Sequence, residues 1–95
     1  MSLPGLDNWV VRSPEPIAAE VGGGLVMLSV QEGKYFSLNA TAAAIWRRLE
    51  TPMRIGELCD QIVEEFDTSR EHAVRAVPEF VAKLIEQKLV AMPAA

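Results

Sequence analysis

The chain has 95 residues, of which 49% are hydrophobic and 23% are charged, and its formal net charge at pH 7 is −4. This length and composition indicate one globular domain and exclude an intrinsically disordered chain. No apolar run approaches the about 20 residues that a membrane-spanning helix needs, and 9 basic against 13 acidic residues disfavour binding to duplex nucleic acid. The only cysteine is Cys59, so no internal disulfide is expected and the cytoplasm is the expected compartment.

The first 16 residues differ from the rest because they are rich in proline and show little periodicity. We therefore expect residues 1–16 to be a flexible N-terminal arm, residues 17–92 to be the domain and residues 93–95 to be a tail. One segment of the arm, Trp9-Val10-Val11, is apolar enough to form a short strand against the domain or against a second copy.

Residues 17–38 carry the pattern of three consecutive strands. Residues 17–21 and 25–31 flank a run of three glycines, which is typical of a tight turn between two strands. In the second strand, alternate residues point to opposite faces: Leu25, Met27 and Ser29 on one, and Val26, Leu28 and Val30 on the other. A second turn at Glu32-Gly33 leads into residues 34–38, which have high β-propensity. The pattern predicts a three-stranded antiparallel meander.

Three helices are predicted after the meander. Asn39 is a good N-cap for a first helix over residues 40–49, and apolar residues recur at helical spacing over residues 55–66. Thr68-Ser69-Arg70-Glu71 has the spacing of a capping box with Thr68 as the N-cap, and it predicts a third helix to about residue 87. Residues 89–92 are expected to form a short strand or an extended tail. The chain is thus an α+β domain with an N-terminal sheet followed by three helices.

The third helix has a wide apolar face. On a helical wheel its apolar residues form one arc of roughly 140°, where a core-facing stripe needs about 100°. The residues of this apolar arc are Ala73, Val74, Val77, Phe80, Val81, Leu84 and Ile85. A face this wide either packs entirely on the domain's own core or leaves part of itself for another partner. Pro78 lies inside this helix, where it removes one amide donor and crowds the carbonyl of Val74, so we expect a kink or a split into two shorter helices.

The junction between the third strand and the first helix is distinctive. Tyr35-Phe36-Ser37-Leu38-Asn39, followed by Ile45-Trp46 and Leu49, resembles the PqqD-like family of RiPP recognition elements. These are the leader-binding domains of pathways that make ribosomal, post-translationally modified peptides. The same resemblance extends through further segments, namely Glu57-Leu58, Glu64-Glu65-Phe66-Asp67, Phe80-Val81-x-x-Leu84 and Leu89-Val90, and it covers roughly residues 17–91.

The resemblance implies a winged-helix-like fold and a non-catalytic function without a cofactor or metal. In that family the leader of a precursor peptide binds as an added strand on the third strand, in a groove walled by the third helix. The domain presents the leader to a modifying enzyme such as a radical-SAM maturase or a lasso-peptide protease, and stand-alone members are known. Carried onto this chain, the expected peptide-binding residues are Lys34, Tyr35, Phe36, Ser37 and Leu38 of the strand, and Val74, Arg75, Val77, Pro78 and Val81 of the helix.

Elementary physics supports this expectation. The outer strand of a meander has unpaired amides and carbonyls, which proteins normally protect with charge, proline or cover. Residues 34–38 carry one charge, no proline and two aromatic side chains. Such an edge beside an apolar helix face suits β-strand addition, in which backbone hydrogen bonds supply affinity and pockets read alternate side chains.

Several positions depart from the family's pattern or allow a second interpretation. Arg54 stands where many members have a threonine N-cap, Gly56 follows within the first turn, and Lys88 stands where a glycine usually ends the third helix. Phe36 and Leu38 are more readily explained as core residues, and Lys34 and Arg75 singly as solvated charges. With one histidine and one cysteine in the chain, neither a zinc site nor a Cys-His pair is expected.

Two rival functions use the same architecture. A winged-helix DNA-binding regulator requires a basic recognition helix, whereas the third helix carries Glu71, Glu79 and Glu86 against Arg75 and Lys83. The other rival is a structural homodimer subunit, in which a second copy covers the open strand and the wide helix face.

Overall fold

A computed structural model describes residues 4–93, and it has six strands in two antiparallel sheets together with three helices. This is the predicted winged-helix-like α+β fold, in which an N-terminal sheet precedes the helices. In chain order the elements are β1 (Trp9–Arg12), β2 (Ile17–Val21), β3 (Gly24–Ser29), β4 (Lys34–Leu38), α1 (Ala40–Arg48), β5 (Met53–Arg54), α2 (Ile55–Phe66), α3 (Arg70–Glu86) and β6 (Val90–Ala91). No helix of the described chain combines the length and hydropathy needed to cross a bilayer.

The meander forms as predicted, with the strand order β2-β3-β4. Gly22 and Gly23 have φ angles of 55° and 88°, so they form the left-handed pair of a type I′ turn, whose twist matches that of a hairpin. Gly24 packs closely on β4, because a Cβ atom at this position would overlap the carbonyl oxygen of Leu38. The predicted alternation is confirmed, since Met27 is fully buried while Val26 is exposed.

A second small sheet ties the two ends of the described chain together, with the order β5-β1-β6. Val10, in the middle of β1, is 0% exposed, so this part of the predicted arm packs against the domain rather than against a second copy. The Arg12 guanidinium lies over the ring of Trp46, at 4.4 Å from its centroid, which adds a cation–π contact to the same docking. The flexibility of residues 1–16 and the boundaries at 17 and 92 stay predictions, and residues 1–3 and 94–95 lie outside the described residues.

The first two helices begin differently. The side chain of Asn39 caps α1 by accepting a hydrogen bond from the amide of Ala42 at 2.9 Å, as predicted. No side chain caps α2, whose N-cap position is Arg54. Carbonyls from the segment before β1 replace the missing cap, because Leu6 accepts from the amide of Gly56 at 2.8 Å and Asn8 from that of Ile55 at 3.1 Å. The weak helix start is thus stabilised by tertiary contacts.

The third helix is a single helix of 17 residues that contains Pro78, so the predicted split does not occur. The predicted capping box is wrong by one residue. The N-cap is Ser69, whose hydroxyl accepts from the amide of His72 at 3.0 Å, because Asp67 ends α2 in the left-handed conformation and Thr68 is the single connecting residue. At the other end Lys88 takes the left-handed position, with φ of 62°, that glycine usually fills.

One hydrophobic core lies between the meander and the helices, and it includes Met27, Leu49, Ile55 and Leu58, which are each 0% exposed. Trp46 belongs to this core, as its spacing predicts. The core holds β4 against α1, and α1, α2 and α3 together line the pocket of the candidate site.

Candidate functional site

The strand β4 is an outer strand of the meander. Its five residues pair with β3 in a continuous antiparallel register from Leu25 opposite Leu38 to Ser29 opposite Lys34. On its other side, no strand pairs with it among residues 4–93. One row of backbone hydrogen-bonding groups along β4 is therefore open, as the sequence predicts for this edge.

The glycine turn determines which residues of β3 direct their backbone N–H and C=O groups toward β2 and which direct them toward β4. In a β-turn the first residue accepts a hydrogen bond from the fourth, so Val21 and Gly24 form a hydrogen-bonded pair. Hydrogen-bonded and non-hydrogen-bonded pairs alternate along an antiparallel ladder, which makes the next hydrogen-bonded pair Ala19 with Val26 in the observed register. The backbone groups of Val26 thus point toward β2, and those of its neighbour Met27 point toward β4.

The same alternation identifies the open groups of β4. Met27 stands opposite Phe36, so the backbone groups of Phe36 are directed into the sheet and are used in the fold. Its neighbours Tyr35 and Ser37 direct their N–H and C=O groups away from the sheet. These two residues supply two donors and two acceptors, spaced as an added strand requires.

The side chains of β4 divide into two faces. Phe36 is half-buried and Leu38 is buried at 8% exposure, both on the core side, and the core interpretation of these two residues is confirmed. On the other face Tyr35 is 74% exposed and Ser37 is exposed. Lys34 shares the face of Phe36 and Leu38 and is exposed at the start of the strand. Along the open edge, the backbone of Tyr35 and Ser37 and the ring of Tyr35 are accessible to a guest, whereas Leu38 contributes to the fold.

A pocket of about 330 Å³ lies at the end of β4, where the chain turns into α1. Its floor and walls come from α1, α2 and α3. The lining residues are Asn39, Thr41, Ala42, Ile45, Ile62, Thr68, His72, Ala73, Ala76, Val77 and Phe80. Aliphatic and aromatic groups dominate, with hydroxyl, amide and imidazole groups from four residues, a composition suited to an apolar side chain of a peptide.

The predicted helix residues occupy different places relative to this pocket. Val77 lines it. Val81 is 0% exposed, Pro78 is also buried, and Val74 is half-buried and packs against the core. Arg75 is exposed on the solvent side. Of the five predicted wall residues, the structure brings only Val77 to the pocket.

The residues that replace them on the wall are Ala73, Ala76 and Phe80. Ala73 and Phe80 belong to the predicted apolar arc, so a signal for them is present in the sequence. Ala76 lies outside that arc, and its small side chain is what leaves room for the pocket. Lys34, at the opposite end of β4 from the pocket, and Arg75, on the solvent side of α3, form no ion pair with any described residue.

Cys59 lies in the core and does not line the pocket. Cys59 is fully buried, its thiol donates a hydrogen bond to the carbonyl of Ala73 with an S···O distance of 3.6 Å, and burial raises its pKa. A protonated, buried thiol is a poor nucleophile. Residues 4–93 hold no cluster of three or more histidine, cysteine, aspartate or glutamate side chains that could bind a metal ion.

The chain matches one family of known proteins by sequence. The sequence profile of the family described as coenzyme PQQ synthesis protein D (PqqD) matches residues 24–90. A search of curated proteins found no significant match.

Two solved structures resemble this chain over most of its length. The first is TbiB1 in complex with the TbiA(beta) leader peptide, with 29% sequence identity and a TM-score of 0.78, and the match covers 90% of this chain and 99% of that one. The second is lasso peptide synthetase B1 complexed with the leader peptide, with 28% identity and a TM-score of 0.74, over 86% of this chain and 96% of that one.

Proposed function

Because this chain belongs to the PqqD family, we propose that it is a non-catalytic recognition element for the leader segment of a ribosomally made precursor peptide. The leader binds as an added antiparallel strand along the open edge of β4 and places one apolar side chain in the pocket beside α3. The observation that carries this proposal is the outward row of backbone groups at Tyr35 and Ser37 in a chain similar to two proteins solved with leader peptides.

Three features of the site support strand addition. The backbone groups of Tyr35 and Ser37 match a guest strand without any change in the meander. The pocket follows directly where β4 ends at Asn39, so a guest that leaves the edge reaches the pocket within a few residues, at about 3.4 Å per residue. We expect Lys34, at the start of the open edge, and Arg75, on the exposed side of α3, to attract acidic residues of the leader.

The partners follow from this function. A domain that binds a leader without reacting with it must pass the precursor to a modifying enzyme, such as a radical-SAM maturase or a lasso-peptide protease. We propose that the chain acts in the cytoplasm, where the free thiol of Cys59 remains reduced. Since the leader must be ordered on binding, we expect a Kd in the nanomolar to micromolar range, roughly −12 to −8 kcal/mol.

The rival DNA-binding function finds little support on the surface. The exposed side of α3 carries three glutamates against three basic residues, Arg70, Arg75 and Lys83, and Arg70 is paired with Asp60 of α2. The chain's net charge is −4. A helix that enters a DNA groove needs a basic face that neutralises phosphates. An electrophoretic mobility assay at physiological salt tests this rival, and a specific shift with a duplex would favour it over leader binding.

The test of the proposed function begins with the gene's neighbourhood, where we expect a short precursor gene beside a gene for a modifying enzyme. The leader of that precursor, synthesised with a fluorescent label, is titrated with the protein and followed by polarisation. The remaining segment of the same precursor, without the leader, serves as the control probe. Saturable binding of the leader alone supports the proposal, and equal binding of both segments, or of neither, contradicts it.

A further inference from the structure

The opposite edge of the meander is also open, and nothing in the proposed leader site uses it. β2 is the other outer strand in the order β2-β3-β4, and all five of its residues are exposed. Ala18 and Glu20 are exposed even though they point to the same face of the sheet as Met27 and Leu25, the buried residues opposite them. The strand therefore projects beyond the helices that cover the rest of the sheet.

This edge carries one strong feature that opposes pairing with another chain, the charge of Glu20 on the core-side face. It carries no proline and one charged residue, Glu20, which forms an ion pair with Arg47. Ile17 and Val21 are 61% and 60% exposed. A short apolar strand with one ladder neighbour and no cover on either face is marginally stable, and it gains from a second neighbour.

The register shows which groups are open. Ile17, Ala19 and Val21 form hydrogen-bonded pairs with β3, by the alternation that starts at the glycine turn. Ala18 and Glu20 therefore direct their N–H and C=O groups outward. This open row is symmetric about Ala19, because one outward residue lies on each side of it.

We propose that this edge binds a second copy of the chain, with the two β2 strands antiparallel and the two-fold axis at Ala19. In that register Ala18 of each copy stands opposite Glu20 of the other, and both of these pairs are hydrogen-bonded. The two Ala19 residues face each other as a non-hydrogen-bonded pair, as the direction of their backbone groups requires. The edge is thus complementary to itself, which is the requirement for a two-fold interface.

The side chains agree with the same register. Ile17 of each copy stands opposite Val21 of the other on the outer face, so four exposed apolar side chains become two cross-strand pairs. The two Glu20 side chains are diagonal rather than opposite, about 8 Å apart. Each keeps its own Arg47, which offsets the repulsion between them.

The assembly would be a six-stranded sheet with a β4 strand at each end, so both leader sites stay open. Two strands of five residues fall below the roughly 1,000 Å² that a stable interface buries. We therefore expect weak association, with a Kd in about the micromolar to millimolar range. This inference does not rest on the proposed function.

A pair of single-cysteine additions tests the register. Two Ala19→Cys residues would lie about 4.5 Å apart at Cα, within the 4.4–6.8 Å range of disulfides, whereas two Ala18→Cys residues would lie about 8 Å apart and cannot be bridged. Cys59 is buried and does not compete. We expect mild oxidation to give a covalent dimer of the Ala19→Cys variant. The Ala18→Cys variant should give no covalent dimer. Equal yields of dimer from both variants would overturn the proposal.

A concentration series of the natural chain, followed by analytical ultracentrifugation, provides the second readout. We expect reversible dimerisation that Ala18→Pro abolishes, because this proline removes an outward amide that the monomer does not use. Addition of the labelled leader should leave the dimer intact. A dimer that dissociates when the leader is added would place the contact at β4 instead of β2. A chain that stays monomeric up to millimolar concentration would also refute the β2 interface.

Discussion

The substitution Ser37→Pro separates the binding edge from the fold. The amide of Ser37 points away from β3, so its loss removes no hydrogen bond of the meander, and edge positions of this kind tolerate proline. The side chain of Ser37 is exposed, and the residue before it, Phe36, is already extended within β4, as a residue before proline must be. We therefore expect the unfolding free energy to change by no more than about 1 kcal/mol.

Leader binding should suffer much more. A guest carbonyl that accepts from Ser37 loses about 0.5–1.5 kcal/mol of net hydrogen-bond energy, and leaving it unsatisfied in the groove brings the total to about 1–3 kcal/mol. The proline ring also occupies the space that the guest backbone needs. The hydrogen-bond loss alone predicts a Kd that rises about 5- to 150-fold, and the clash of the ring raises it further.

Fluorescence polarisation with the labelled leader measures the Kd, and urea titration measures the unfolding free energy of the same samples. Ser37→Ala is the matched control, because it removes the same hydroxyl and keeps the amide; it should bind the leader as the natural chain does. Normal binding by Ser37→Pro, or a loss of binding matched by an equal loss of folding stability, would contradict strand addition at this edge.

Further substitutions test the pocket, the meander, the helix cap and the buried thiol. Ala76→Phe fills the pocket, so the leader's Kd should rise by about tenfold or more, measured by polarisation. Gly24→Ala forces an overlap with the Leu38 carbonyl and should lower the unfolding free energy by about 1–3 kcal/mol. Ser69→Ala removes the α3 cap and should lower the unfolding free energy by about 1 kcal/mol. Urea titration measures both changes. Burial raises the pKa of Cys59, so its stabilisation is present at neutral pH and is lost as pH rises above about 8.5, a slope that Cys59→Ala should remove.

Each of these expectations has a result that contradicts it. A natural affinity in Ala76→Phe would show that the leader does not enter the pocket. An undiminished unfolding free energy in Gly24→Ala would show that β3 and β4 separate without cost, and a larger loss from Thr68→Ala than from Ser69→Ala would restore Thr68 as the cap. The thiol account fails if the stability of Cys59→Ala falls above pH 8.5 as steeply as that of the natural chain.

The meander and the helices were predictable because their signals are local. Alternation along β3, the glycine turn before it and the Asn39 cap each act within a few residues. The sheet of β1, β5 and β6 was not predictable in the same way, since Val10 pairs with Met53 and Val11 with Ala91. Strands of two residues carry no periodicity, and their pairing depends on contacts that only the folded chain provides.

The site was predictable in its edge and less so in its wall. The outer position of β4 follows from the order of the strands alone. The wall depends on the rotation of α3, which core packing sets: Val81 points into the core while Val77 and Phe80 reach the pocket. The width of the apolar arc does not indicate which of its residues pack on the protein's own core. Ala76, the small residue that leaves room for the pocket, lies outside the arc and gives no hydrophobic signal in the sequence.

The most direct test of the central claim is hydrogen exchange of the β4 amides, resolved by NMR with and without the leader. We predict that the amides of Tyr35 and Ser37 exchange fast in the free protein and become protected when the leader binds, while those of Phe36 and Leu38 are protected in both states. Leader binding that leaves Tyr35 and Ser37 unprotected, or that protects Ala18 and Glu20 of β2 instead, would contradict it.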